Sequence, residues 1–279
     1  MRNALSVDVE EWFQVGAFEK VIDKADWDRL ETRVERNTDA VLALFGETDV
    51  KATFFTLGWV AERYPALIRR IADAGHEVAS HGWDHQRVFT MDAATFRADL
   101  KRARDVLEQA SGQAITGYRA PSFSIDKRTP WAHRELAAAG YAYSSSVAPL
   151  MHDHYGWPEA PRYAFKPVPD AGLIEVPVTV ADLPGRRMAT GGGFFRLLPS
   201  QLMHFAVRQV TRDRQPAVFY FHPWEIDPGQ PRVAGAPLRS KLRHYSRLDA
   251  MAGKLRGLIG AHDWGRMDAV VAEARATMR

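Results

Sequence analysis

Short apolar segments alternate with longer amphipathic segments along most of the chain. The apolar segments have the length of buried strands, and the amphipathic ones carry apolar residues at the spacing of a helical face. Strands are predicted at 3–9, 51–57, 76–80, 115–119, 141–145, 173–178 and 217–222. Helices are predicted at 35–46, 59–74, 92–111, 129–139, 199–213 and 240–260. Because helices separate consecutive strands, the pattern favours a parallel sheet or barrel and an α/β fold.

The chain of 279 residues is long enough for one sizeable domain, and no internal repeat divides it. We expect a single domain over 1–279, with a barrel at about 1–235 and a helical C-terminal extension at about 236–279. Within the barrel, residues 147–190 are rich in proline, histidine and glycine. They predict a long ordered loop with short strands, a feature that is often functional in a compact domain.

Composition excludes several classes of protein. The formal net charge is +3 and the basic residues are scattered, which gives little support to nucleic-acid binding. Zero cysteines exclude disulfides and thiolate metal sites, so any metal must be held by histidine, aspartate or glutamate. No apolar run approaches the ~20 residues of a membrane span, and the N-terminus lacks the pattern of a secretory signal. We therefore expect a cytoplasmic protein; the sequence gives no oligomeric state.

Three acidic residues stand at the end of the first predicted strand, in the segment SVDVEEWF. Asp8 and Glu10 are two residues apart, so both side chains point to one face of a strand and Glu11 points to the other. Two neighbouring carboxylates repel each other unless a cation lies between them. The pair therefore indicates a cation site; a solvated strand end that caps a neighbouring helix is the alternative.

A pair of histidines follows the third predicted strand, in the segment HEVASHGWDH. His81 and His85 are four residues apart, a spacing that brings two imidazoles within reach of one metal ion, although such pairs are also common on surfaces. The C-terminal ends of parallel strands share one face of a barrel, so these histidines are expected to meet the acids. Glu10, His81 and His85 are the candidate metal ligands of a hydrolytic site.

Two further motifs also end predicted strands. In YRAPSFSID, Arg119 is a candidate partner that keeps Asp8 ionised; a surface arginine before a turn is the alternative. In AVFYFHPWEIDP, His222 ends the most apolar strand and is expected on the same face, unless it is a satisfied core histidine. Trp224 offers a ring for stacking on a sugar or for packing.

Together these segments resemble the NodB-type polysaccharide deacetylases of carbohydrate esterase family four. The resemblance rests on SVDVEEWF, FFTLGWVAERYP, AGHEVASHGWDH, YRAPSFS and FYFHPWEIDP, in this order, and extends over nearly the whole chain. TGGGFFRLLP and RHYSRLDAMAGKLRGLI resemble the subgroup that is associated with exosortase (PEP-CTERM) and exopolysaccharide loci. The resemblance implies a distorted (β/α) barrel of about seven strands, a divalent metal, usually Zn²⁺, and hydrolysis of N-acetyl groups on sugars.

The resemblance also implies roles for individual residues. Pro121, Ser122 and Trp224 are expected at the substrate, with a backbone N–H near Ser122 facing the oxyanion. The remaining roles are base for Asp8, metal ligands for His81 and His85, orientation of the base for Arg119, and general acid for His222.

Two positions depart from the family pattern. The common motif has adjacent aspartates, the second of which binds metal, whereas here Val9 follows Asp8 and the next acid is Glu10. The family also supplies an aspartate that tunes the general acid, and this chain has Ser144 where that residue is expected. Asp182, in the irregular loop, is one candidate for the missing partner of His222.

The function that follows is a metal-dependent hydrolase that removes N-acetyl groups from amino sugars of a polysaccharide, in exopolysaccharide biosynthesis. The partner that this implies is an N-acetylated polysaccharide or oligosaccharide. Two alternatives remain: an esterase that acts on O-acetyl groups of carbohydrate, and a catalytically inactive sugar-binding homologue.

Overall fold

A computed structural model describes residues 2–152 and 155–278 of the chain. The predicted loop 147–190 therefore includes two residues, 153 and 154, that lie outside the described part, as do residues 1 and 279 at the ends of the predicted domain. Among the described residues, no helix is both long enough and apolar enough to cross a membrane.

The described residues form a curled parallel sheet with helices packed on it. Its order is β10-β1-β2-β3-β4-β5-β6, and β9 also pairs with β1; β7 and β8 form a separate antiparallel hairpin. All seven predicted strands are present, so the expected (β/α) barrel fold is confirmed. The strands are β1 Asn3–Val9, β2 Thr53–Thr56, β3 Glu77–Ser80, β4 Gly117–Tyr118, β5 Tyr143–Ser144, β6 Ile174–Glu175, β7 Val180–Leu183, β8 Arg186–Ala189, β9 Val218–Phe221 and β10 Trp264–Gly265.

The helices follow the predicted amphipathic segments, with additions and breaks. The two additions are α6, in the TGGGFFRLLP segment, and α10, at the C-terminus. The helices are α1 Val34–Gly46, α2 Gly58–Arg63, α3 Pro65–Asp73, α4 Ala93–Ser111, α5 Ala132–Ala138, α6 Gly192–Leu197, α7 Gln201–Arg212, α8 Leu238–Tyr245, α9 Leu248–Ala261 and α10 Met267–Thr277.

Two predicted helices are each divided in two. The prediction over 59–74 is interrupted at Tyr64, because Pro65 lacks an N–H group and disfavours helical geometry in the residue before it. Pro65 then begins α3, where a missing N–H costs nothing. The prediction over 240–260 is interrupted at Ser246, which is extended, and Arg247, whose φ is 58°. No proline or glycine in the sequence marks this second break.

The expected C-terminal extension is not purely helical. Trp264 and Gly265 of β10 pair with Asn3 and Ala4 of β1, so the end of the chain contributes to the main sheet. The β1 strand is buried along its whole length, as expected for a strand with neighbours on both sides. Because β1, β2, β3, β4 and β9 are parallel, their carboxyl ends lie at one edge of the sheet.

Candidate active site

The carboxyl-end edge of the sheet carries the sequence-predicted residues. Asp8 is the second-last residue of β1, Glu10 directly follows this strand, and His81 directly follows β3. Arg119 and His222 occupy the equivalent positions after β4 and β9. Since these strands are neighbours in a parallel sheet, residues far apart in sequence converge on one small, largely buried region.

Asp8 and Arg119 form a buried ion pair. One guanidinium nitrogen of Arg119, Nη1, donates to Asp8 Oδ1 at 2.7 Å and to Ser6 Oγ at 2.7 Å. The other nitrogens donate to Ser145, Nε to the carbonyl oxygen at 3.1 Å and Nη2 to the hydroxyl at 3.0 Å. Arg119 also lies over the ring of Phe55. The fully buried guanidinium is thus fixed on all sides, and the predicted pairing with Asp8 is present.

Glu10, His81 and His85 form a cluster of three possible metal ligands. One ligand atom from each lies within 4.8 Å of the others. Among the described residues, no hydrogen-bond donor points at the buried Oε2 of Glu10, although Nε2 of His85 lies 2.8 Å away. A contact this short needs positive charge at the two groups, either a proton on His85 or a cation that both atoms bind. Two imidazoles and one carboxylate also suit a divalent metal, so the donor set fits the predicted ion.

The backbone and the surroundings prepare both histidines for this use. Nδ1 of His81 lies 2.8 Å from the carbonyl oxygen of Arg119; when that nitrogen carries the proton, Nε2 is left free as a ligand atom. Burial lowers the pKa of His81 to about 4, which keeps the imidazole neutral at pH 7. His85 has a left-handed backbone, with φ at 62°, that turns its ring back towards Glu10.

Glu10 is held as a carboxylate by its neighbours. Burial alone raises its pKa, but the charges of His85 and His222 outweigh burial and hold the pKa well below the usual range. Its second oxygen, Oε1, accepts a hydrogen bond of 3.1 Å from the indole N–H of Trp224. One oxygen of Glu10 is therefore fixed by Trp224, while the other faces the histidines.

His222 has a partner that the sequence analysis did not identify. Nδ1 of His222 lies 3.0 Å from Oε2 of Glu225, and the same oxygen accepts the backbone N–H of His222 at 3.1 Å. Oε1 of Glu225 accepts from Nε of Arg196 at 3.0 Å, and both of these residues are buried. Burial lowers the pKa of His222, but Glu10 and Glu225 outweigh burial and raise it to about 9.

The suggested partner Asp182 is therefore wrong. Asp182 lies in the β7–β8 hairpin, half exposed, with Arg162 and Arg187 as its charged neighbours. The hydroxyl of Ser144, at the position of the family aspartate, donates to Ser146 Oγ at 2.8 Å. The carboxylate next to His222 thus comes from the turn that directly follows the histidine.

Trp224 lies in the site with both faces of its indole covered. The ring of His222 stacks on one side, with centroids 5.1 Å apart, and that of His244 stacks at 4.3 Å. Trp224 is only 7% exposed. Stacking of a sugar on this indole, the predicted use, would require one histidine ring to move, whereas support of Glu10 needs no movement.

Pro121 and Ser122, the other predicted substrate residues, form a tight turn after Arg119. Pro121 is buried and Ser122 is partly exposed. Ser122 and Phe123 both have positive φ, at 54° and 49°, a conformation that costs energy in residues other than glycine. Such local strain often accompanies functional sites, and this turn lies directly after the Arg119–Asp8 pair.

Glu11, the third acid of SVDVEEWF, has a structural role. Its Oε1 accepts the backbone N–H groups of Arg33 at 2.7 Å and Val34 at 2.9 Å, where α1 begins. A carboxylate at a helix N-terminus satisfies N–H groups that the helix itself leaves unpaired. The alternative considered for the acidic segment, capping of a neighbouring helix, thus applies to Glu11 and not to the Asp8–Glu10 pair.

Arg196 and Glu225 are the site residues that sequence reasoning missed. For Glu225 a signal existed, since a glutamate three residues after a helix-capping position commonly reaches back to the cap, and His222-x-x-Glu225 has this spacing. Arg196 lies in α6, and Gly191 directly before this helix packs closely on the sheet, since a Cβ atom there would lie 2.5 Å from the ring of Tyr220. No local pattern links Arg196 to Glu225.

Two family models match the chain. The polysaccharide deacetylase family matches residues 25–143, and a domain of unknown function, DUF3473, matches residues 145–272. The first match includes His81, His85 and Arg119, and the second includes Arg196, His222 and Glu225.

Curated relatives match between a third and a half of the chain. The peptidoglycan deacetylase of Helicobacter pylori is 31% identical over 115 residues, which are 41% of this chain and 37% of that protein. The peptidoglycan-N-acetylglucosamine deacetylase of Bacillus cereus is 30% identical over 96 residues, which are 34% of this chain and 35% of that protein. The chain therefore spans well under half the length of these two relatives.

Solved structures match over almost the full chain. A protein from Mycobacterium smegmatis assigned to the polysaccharide deacetylases has a TM-score of 0.64 and 25% identity, with 99% of this chain and 90% of that chain covered. The Puue allantoinase, with a TM-score of 0.62 and 15% identity, covers 98% of this chain and 90% of its own, and shares the fold. The family match over residues 25–143, the relatives and the fold agree, and the chain is therefore similar to the polysaccharide deacetylases in part of its sequence and in its fold.

Proposed function

We propose that this protein is a metal-dependent hydrolase that removes N-acetyl groups from amino sugars of a polysaccharide. The observation that carries the proposal is the convergence of three units at one sheet edge. These are the Asp8–Arg119 ion pair, the cluster of Glu10, His81 and His85, and the Glu225-supported His222. The relatives named as peptidoglycan deacetylases support the same reaction class.

Glu10, His81 and His85 would hold the divalent cation, for which Zn²⁺ is the expected ion. When bound, such a cation supplies Lewis acidity towards the acetyl carbonyl group. The nearby indole of Trp224 keeps Glu10 in place through its hydrogen bond to Oε1. A metal-loaded site also explains why Oε2 of Glu10 and Nε2 of His85 face each other so closely.

Asp8 is the general base in this proposal. Its Oδ1 is engaged by Arg119, which fixes the carboxylate plane and leaves Oδ2 to take a proton from the attacking water. The guanidinium is itself held by Ser6 and Ser145, so the Asp8 carboxylate has one fixed orientation. A fixed guanidinium thus provides orientation and charge, while Asp8 moves the proton.

His222 is the general acid. Glu225 holds Nδ1, so Nε2 is the nitrogen that presents a proton to the departing amine. The raised pKa of His222, about 9, favours the protonated form that this role needs. Proton donation is essential for an amide because an unprotonated amine anion is a very poor leaving group. Acetate and a free amino sugar are the products.

The proposed biological setting is exopolysaccharide biosynthesis, from the resemblance to the exosortase-associated subgroup, and the expected location is the cytoplasm. Neither changes the chemistry of the site. The assay below compares several substrate polymers and several oligosaccharide lengths.

The proposal is tested by measuring acetate release from several N-acetylated oligosaccharides, with and without added zinc, and from an O-acetylated sugar. N-deacetylation that depends on zinc and is absent in Asp8→Asn supports the proposal. Release from the O-acetylated sugar alone would favour the esterase. Binding of oligosaccharide without any release would identify an inactive sugar-binding homologue.

A further inference from the structure

The helix α8 and its flanking residues form a basic surface with protruding leucines. We call it the α8 surface and define it by Leu238 and Leu242 together with five cationic residues, which are Arg232, Arg239, Lys241, Arg243 and Arg247. The proposed reaction uses none of these side chains.

The charge of this surface is uncompensated. Between residues 228 and 248 the chain has these five cationic residues and no aspartate or glutamate. Among the residues that the structure describes, none of the five forms an ion pair within 4.0 Å. The net charge of the whole chain is only +3, so the segment concentrates positive charge that the rest of the protein balances. A surface of this kind attracts anions.

The two leucines are exposed far beyond what folding requires. Leu238 is 72% exposed and Leu242 is 59% exposed. They are four residues apart on one helix, so they protrude side by side from the same face. Behind Leu242 a groove of about 360 Å³ runs between α8 and the preceding loop, with Arg232, Lys241 and Tyr245 among its walls. Apolar side chains beside cations thus line a continuous recess.

The surface is rigidly attached to the candidate active site. Nη2 of Arg196 donates to the carbonyl oxygen of Arg243 at 2.8 Å, and the same arginine binds Glu225, the partner of His222. On its inner side, α8 buries His244, whose ring stacks on Trp224. Whatever binds the outer side of α8 is therefore separated from His222 by the helix itself and by the stacked rings of His244 and Trp224.

We propose that the α8 surface docks onto an anionic phospholipid bilayer. A short helix with cations around two protruding leucines has the pattern of an interfacial anchor, where cations meet lipid phosphates and leucines enter the acyl boundary. Charge complementarity selects the anionic bilayer over a neutral one. A soluble anionic polysaccharide would use the cations but would leave the leucines without an apolar partner. Docking does not depend on the proposed activity and is measured separately from it.

Co-sedimentation with vesicles tests the proposal on the full chain. Vesicles of phosphatidylglycerol and phosphatidylcholine in equal parts are compared with pure phosphatidylcholine, at about 0.1 M salt. The unmodified protein is expected to sediment with the anionic vesicles and to remain in solution with the neutral ones. Arg239→Gln with Arg243→Gln should weaken binding about 30-fold, since each cation near an anionic surface contributes roughly fivefold. Leu238→Ser with Leu242→Ser should weaken it at least about tenfold.

A matched variant on another helix provides the control. Phe205→Ser with Arg208→Gln and Arg212→Gln removes one exposed apolar side chain and two exposed cations from α7, and should leave vesicle binding unchanged. Thermal unfolding checks that every variant is folded. No binding to anionic vesicles would overturn the proposal. So would binding that the leucine variant retains in full, or equal losses in the α7 control. Binding of soluble dextran sulfate without vesicle binding would instead identify a polyanion site and also overturn it.

Discussion

Glu225 holds His222 by two contacts of one carboxylate oxygen, 3.0 Å to Nδ1 and 3.1 Å to the backbone N–H. This geometry fixes both the ring and the nitrogen that carries the mobile proton. The residue that supports the proposed acid is therefore a glutamate three positions away in sequence, and its other oxygen is fixed by the buried Arg196.

Replacement of this support should change the pH profile of the reaction. Glu225 is one of the carboxylates that raise the pKa of His222, so a general acid at this position is lost as pH rises through that raised pKa. Glu225→Gln should move the alkaline limb of kcat to lower pH and reduce kcat roughly 10- to 100-fold, with KM little changed. Asp227→Asn is the matched control, since Asp227 pairs with Arg33 and Arg36 instead. An unmoved alkaline limb in Glu225→Gln would refute this assignment.

Loss of the proposed acid itself should depend on the leaving group. His222→Ala is expected to retain metal and fold and to lose roughly 10²- to 10⁴-fold in the rate of amide hydrolysis. The loss should shrink on an activated O-acetyl ester, whose leaving group needs little protonation. Rates on both substrates are compared with those of the unmodified protein. If both fall by the same factor, His222 positions the site without donating a proton.

Substitutions of Asp8 and Glu10 should differ in their effects on metal content and on turnover. Asp8→Asn should abolish turnover and keep the metal, because Asp8 lies against Arg119 and outside the ligand cluster. Glu10→Gln should weaken metal binding, because a neutral amide is a poorer ligand than a carboxylate. Elemental analysis and acetate release are measured on the same samples. The reverse pattern would make Asp8 the ligand.

These residues could be found from the sequence because each one ends a strand. Alternation along a strand puts Asp8 and Glu10 on one face, and the parallel order puts His81, Arg119 and His222 at the same edge. Glu225 is less visible, because it acts across a short turn after Pro223. Arg196 acts only through tertiary packing, and sequence spacing carries no information on that contact. The break between α8 and α9 was missed for a similar reason, since no residue there is a conventional helix breaker.

A buried acid at the opposite end of the sheet should make stability depend on pH. Glu77, at the start of β3, accepts hydrogen bonds from the hydroxyl groups of Thr53 and Tyr143 and from the backbone N–H of Asp268. Burial, assisted by the negative charge of the Asp268 side chain, raises the pKa of Glu77 from 4.5 to about 7. The folded state therefore binds this proton more tightly than the unfolded chain does. The contribution of this proton to the free energy of unfolding is complete below pH 4.5 and is lost as pH rises towards 7.

Glu77→Gln should remove that dependence. Between about pH 5 and pH 8, the free energy of unfolding of the unmodified protein should fall by roughly 2–3 kcal/mol more than that of the variant. Urea unfolding at the two pH values measures the difference. Asp105→Asn, at an exposed pair with Lys101 on α4, is the control and should behave like the unmodified protein. Parallel changes in all three proteins would show that Glu77 does not bind a proton in this range.

A titration with zinc shows whether a single metal-dependent site removes N-acetyl groups. Protein stripped of metal by a chelator is titrated with Zn²⁺ while acetate release from an N-acetylated oligosaccharide is measured. Activity should be absent at the start, rise in proportion to added zinc and level off at about one equivalent per chain, and His81→Ala should stay inactive throughout. Full acetate release from the stripped protein, or a response to zinc that His81→Ala retains, would show that the hydrolysis does not depend on a metal ion bound at His81.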